Sequence, residues 1–145
     1  MRKLRIAGLA LTVILTAASG AAQTFKVYPG AAKMTRESAE MAKINPAGTE
    51  STVYSTNDSF EKVVAFYKGV GKEYTMAWMK KSTKLPSGQE LMSAMFIFDG
   101  ADSIATSKSW AKVQRPYVGS VKMNGTTPEY QDIRDITAIV VTQKK

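Results

Sequence analysis

The sequence predicts an α+β domain: a mostly antiparallel sheet of about five strands, with one principal helix (residues 59–68) packed on one face. Three observations predict it. Residues 51–81 (STVYSTNDSFEKVVAFYKGVGKEYTMAWMKK) read as strand, helix, glycine stop and strand in one short stretch. Residues 90–98 (ELMSAMFIF) are a strongly apolar run, suited to a strand buried on both faces. Residues 135–142 (DITAIVVT) are β-branched enough for a central strand.

The helix is the most explicit element. Phe60, Val63, Val64 and Tyr67 fall on one apolar stripe at helical spacing. Asp58 precedes the stripe and Glu61 follows three residues later, which predicts a capping box with Asp58 as N-cap. Gly69 and Gly71 are expected to end the helix with a positive φ. Thr52, Val53 and Tyr54 on one side, and Tyr74, Met76 and Trp78 on the other, favour extended chain.

Taken in order, residues 24–28 suggest a short strand, ended by the Pro29-Gly30 turn signal. Residues 31–44 have helix-favouring types and read as a helix, although their stripe of Met34, Met41 and Ile44 is thin and leaves strand open. Residues 45–48 (NPAG) break the chain. Residues 74–80 and 90–98 should pair as an antiparallel hairpin across a polar turn, 81–89. Residues 99–102 form another turn. Residues 109–117 are ambiguous between strand and helix; strand is favoured, and Pro116 ends either one. Residues 118–133 read as a long loop with room for a small hairpin at Asn124-Gly125. A loose echo links Ser59, Phe60, Lys62, Val63, Tyr67 and Gly69 to Ser109, Trp110, Lys112, Val113, Tyr117 and Gly119, and reads as coincidence.

The first 22 residues carry the pattern of a cleaved signal peptide. Arg2, Lys3 and Arg5 make a basic start, residues 6–18 an apolar run, and Gly20-x-Ala22 a small-residue end. Thirteen apolar residues fall short of the roughly 20 that a membrane helix needs. Residues 23–145 then form a single domain, with no membrane span after signal cleavage. The precursor carries +8, from 20 basic and 12 acidic residues; without three signal-peptide charges the domain is +5. That is below the charge density of a dedicated nucleic-acid binder, so no nucleic acid is expected.

Absences exclude several chemistries. With no cysteine and no histidine, the chain has no disulfide, no Ser-His-Asp triad, no Cys-His dyad and none of the usual zinc or copper ligands. No cofactor or metal is expected.

The 54–67 string (YSTNDSFEKVVAFY) resembles small uncharacterised secreted or periplasmic bacterial α+β domains, a domain-of-unknown-function type. In those, an aromatic strand with a Thr-x-Asp-Ser end leads into a helix ending Phe-Tyr. Tyr28-Pro29-Gly30 and Arg115-Pro116 fit the same resemblance. It implies an exported α+β domain, but no activity and no site residues.

Few constellations suggest chemistry. Ser59-Phe60-Glu61-Lys62 matches the S-x-x-K of serine acylases but lacks their other motifs, so Ser59 reads as the first helical residue. Gly69-Val70-Gly71-Lys72 follows a helix instead of opening one and has Glu73 where a phosphate loop needs Ser or Thr. Asp99, Asp102 and Ser103 read as a solvated turn, and Asp132 and Asp135 as surface charges flanking Arg134. Lys80, Lys81 and Lys84 cluster beside Trp78, and Lys108, Lys112 and Arg115 beside Trp110. Basic groups next to tryptophan suit anionic polymers, lipid head groups or acidic partners; a lysine-rich tip also keeps a sheet edge soluble. Lys80, Lys81, Lys84 and Trp78 are therefore the candidate binding residues, and no catalytic residue is assigned.

These features point to an exported, non-catalytic binding or interaction module in the periplasm or outside the cell. Its expected partner is an anionic surface or an envelope protein. The alternatives are a small histidine-free enzyme using carboxylate, serine or lysine groups, and a structural subunit of an envelope assembly. Cleavage before Gln23 should leave 123 of the 145 residues. Mass spectrometry of protein from the native envelope should find that form; recovery of the intact precursor in membranes would refute the signal.

Overall fold

The computed structural model describes residues 25–76 and 82–145. The expected first strand, the signal peptide and the 74–80 strand therefore lie wholly or partly outside the described residues. Where described, residues 25–28 join no ladder.

The described chain runs β1 (Ala32–Lys33), α1 (Thr35–Ile44), β2 (Thr49–Thr56), α2 (Phe60–Lys68), β3 (Lys72–Tyr74), β4 (Ser82–Lys84) and β5 (Glu90–Ile97). It continues through β6 (Ser109–Arg115), β7 (Tyr117–Asn124), β8 (Thr127–Arg134) and β9 (Thr137–Lys144). Strands β1-β2-β9-β6-β5-β3, with β4 also on β5, form a seven-stranded sheet in which every pairing is antiparallel. The α+β class stands, with α1 inside the 31–44 helix candidate beside the principal helix α2, but the sheet exceeds the five strands expected. The terminal strand β9 lies between β2 and β6, the central place its β-branched run suggested.

Helix α2 sits on one sheet face because its stripe matches a row of inward residues. Val63 and Tyr67 are fully buried against Phe96, Phe98, Ala111, Val113, Ile139 and Val141. Tyr67 is the hub: its ring lies 5.8 Å from both Phe96 and Phe98 and stacks on Phe25 at 5.9 Å. Its hydroxyl donates to the Lys26 carbonyl at 3.1 Å, so the buried phenol is satisfied. Burial raises the Tyr67 pKa, and the hydroxyl stays protonated.

Three local expectations are corrected. The N-cap is Ser59, whose hydroxyl accepts from the Lys62 N–H at 3.2 Å. Asp58 is drawn away by a longer-range partner: Tyr28 donates to its carboxylate at 2.7 Å, and the Lys62 ammonium lies 3.2 Å away. Those contacts hold the Asp58 carboxyl below its ordinary pKa. Gly69 ends the helix with φ −81°, not a positive value. Gly71 is needed for a close approach, since a Cβ there would meet the Phe98 ring at 2.7 Å. Residues 118–133 are not a loop: β7 and β8 pair along their whole length as a ribbon separate from the main sheet. The echo between residues 59–69 and 109–119 dissolves, because the first copy is helical and the second is extended.

Helix α1 lies along β2. The Ser38 hydroxyl donates to the Met34 carbonyl at 2.7 Å and accepts from the Val53 N–H at 2.9 Å, fastening the helix to the strand. No α1 side chain is fully buried. Ser59→Ala should cost about 1 kcal/mol, the usual cost of a lost cap. Phe96→Ala should cost roughly 3–5 kcal/mol, as for other large buried rings. Urea melts check both; a neutral Phe96→Ala would contradict the α2-face core.

Candidate functional site

The sheet alternates, so the face opposite α2 receives the other half of each strand. One cross-strand row there reads Val53, Val140, Lys112, Met95, fixed by the registers Val53↔Val140, Lys112↔Val140 and Met95↔Lys112. Helix α1 covers only the β2 side of this face. What remains is a groove of about 310 Å³, walled by Met41 of α1, by Trp110 and Gln114 of β6, and by Tyr117 at the start of β7.

Lys112 is the unusual residue in it. Its amine belongs to a central strand, with apolar Val140 and Met95 as direct neighbours. Burial pulls its pKa below the ordinary 10.5, because the charged form loses hydration. Among the described residues no carboxylate lies within 4.0 Å of it. Residues 1–24 and 77–81 contain no Asp or Glu. A cation is thus held over apolar surface with no counter-charge from its own chain.

One end of the groove is held by an ion cluster. Arg134 donates to Glu37 of α1 at 2.6 Å and to Asp132 at 3.1 Å, and its guanidinium lies 4.5 Å above the Tyr117 ring. This clamp ties α1, β7 and β8 together and sets the Tyr117 wall. Gly119 is required beside it, because a Cβ there would stand 2.8 Å from the Asp132 side chain. A second cleft of about 310 Å³ opens between α1 and β7, sharing Met41, Tyr117 and Gly119 with the groove.

The candidate residues named from sequence scatter. Trp78, Lys80 and Lys81 lie outside the described residues. Lys84 is exposed on β4, opposite Glu90. The other basic group is divided by strand alternation. Lys108 is exposed before β6, Lys112 lies in the groove beside Trp110, and Arg115 turns to the opposite face. There Arg115 donates to the Asp58 carbonyl and the Thr137 hydroxyl, both at 3.1 Å, and pairs with Asp135. Asp99 is spent on its own turn, accepting from Ser107 and from the Lys108 and Ala101 N–H groups. Ser59 caps α2, and Lys62 pairs with Asp58, so the S-x-x-K has no free base. Among the described residues no three acidic side chains are grouped to hold a metal, and no helix is long and apolar enough to cross a membrane.

No family model matches the chain, and no curated protein or solved structure matches it.

The clamp makes a prediction about acid. Arg134 holds the Glu37 carboxyl below its ordinary 4.5, mainly through their hydrogen bond. A carboxylate with a depressed folded pKa contributes stability above its unfolded value, and loses it as pH falls through the folded one. Glu37→Gln should cost about 1 kcal/mol at neutral pH, a low figure because Arg134 is 38 % exposed and screened by solvent. The difference from the native chain should shrink once pH falls below the ordinary 4.5 and vanish below the depressed folded pKa. Urea melts at several pH values would show it; a constant difference would mean the pair contributes only packing.

Proposed function

We propose that the protein is an exported, non-catalytic binding module whose groove holds a small ligand with an apolar body and one carboxylate-like group. The observation that carries this reading is Lys112, a cation in an apolar groove without a carboxylate partner. A half-buried charge without a partner loses part of its hydration, and a ligand anion offsets that loss on binding. The groove holds the volume of about ten waters, at the small end for ligand sites. Val53, Val140 and Met95 would meet an aliphatic or aromatic body, and Trp110 and Tyr117 offer flat walls. The anionic preference expected of the lysine-rich tip thus moves to a single half-buried lysine.

Export to the periplasm or beyond belongs to this proposal and is supported by the N-terminal charge and apolar pattern. The resemblance to small secreted bacterial domains supports it too. A non-catalytic role is supported by the engagement of Ser59, Asp58, Asp99 and Glu37 in structural hydrogen bonds.

Octanoate should bind the full chain by isothermal titration calorimetry. Lys112→Met should weaken that binding roughly thirtyfold, the low end for deleting one partner of an enclosed charge pair. The same change should leave stability unchanged or slightly higher, because a half-buried charge without a partner contributes little to the fold. Affinity should fall as pH rises, starting below the ordinary lysine range. Octanoate binding unaffected by Lys112→Met would defeat the proposal.

A further inference from the structure

The same amine has a second chemical character that anion binding does not use. Among the described residues every lysine but Lys112 is exposed, and five of them, Lys43, Lys62, Lys68, Lys72 and Lys145, also have a carboxylate within 4.0 Å. Lys112 has none among the described residues, and its cross-strand neighbours cannot stabilise its ammonium form. An amine in such surroundings is a nucleophile as well as a cation. We propose that Lys112 condenses with small apolar aldehydes admitted to the groove, forming an imine at its Nζ and releasing one water. This rests on the reading of the groove as a ligand site, but not on the ligand being an anion.

The step balances without any redox partner. The Nζ lone pair attacks the carbonyl carbon, a C–N bond forms, and the carbonyl π pair moves to oxygen. That oxygen takes a proton while nitrogen loses one, giving a carbinolamine. The C–O bond then breaks as the hydroxyl takes a second proton and leaves as water, the nitrogen lone pair closes the C=N bond, and the protonated imine returns that proton to solvent. Two features of the groove favour this course. Burial enlarges the unprotonated fraction of Lys112 relative to an ordinary lysine, and only that form attacks. The Val53, Val140 and Met95 row concentrates an alkyl chain beside the amine and limits the water that would hydrolyse the product.

Octanal is the probe, with cyanoborohydride to trap the imine as a secondary amine, at neutral pH on the full chain. Peptide mapping by mass spectrometry should find Lys112 labelled about tenfold or more above any other lysine, with octanoate competing. Lys112→Arg keeps the cation and removes the nucleophile, so the selective adduct should disappear while octanoate still binds. If that variant melts early, competition by octanoate on the native chain decides in its place. Labelling spread evenly over surface lysines, with octanoate binding intact, overturns the imine and leaves the anion site standing. Selective labelling at Lys112 without octanoate binding supports the imine and overturns the anion site. Absence of both would remove the groove as a ligand site.

Discussion

The packing of Tyr67 between α2 and the sheet is the contact on which the rest of the structure depends. It stacks on Phe25, meets Phe96 and Phe98, and anchors the 25–28 segment through its hydroxyl, so one residue joins three parts of the chain. A large ring buried with its polar atom satisfied gives area and orientation together. With no disulfide in the chain, this aromatic cluster on the α2 face carries the cohesion that cross-links provide in many small exported domains.

Because α2 and its rings close one face, the other face is free to remain partly open. Helix α1 is attached by backbone and Ser38 hydrogen bonds at the β2 edge, and it buries no side chain completely. The groove follows from that asymmetry. Its far wall depends on the Glu37–Arg134 pair, which spans 97 residues of sequence and holds the base of the β7–β8 ribbon against α1. Above that base the ribbon is exposed, with Val121 and Met123 on one face.

Lys112 shows how strand alternation can place one basic side chain on an otherwise apolar sheet face. Its strand neighbours Ala111 and Val113 are fully buried on the α2 face, while the lysine itself emerges on the groove side. The two-residue period of a strand explains why a basic cluster in sequence is no cluster in space. Lys108 and Arg115 flank Lys112 in the chain, yet Arg115 is placed across the sheet, bound to Asp58, Thr137 and Asp135.

Local pattern alone determined the α2 stripe, the strand character of β5 and β9, and the central place of β9, while it only favoured strand over helix for β6. These depend on periodicity and β-branching within a single segment. Lys112 and Trp110 were visible as neighbours, but nothing in the chain showed that β6 is paired on both sides and roofed on only one. Tertiary structure decided that, and it decided the details that local rules misassigned. Tyr28 takes Asp58 from the cap, leaving Ser59 to serve α2. Cross-strand pairing turns an apparent loop into β7 and β8. Registers between distant strands set an amine among apolar side chains. In each case the deciding partner lies far away in sequence, where periodicity carries no information about it.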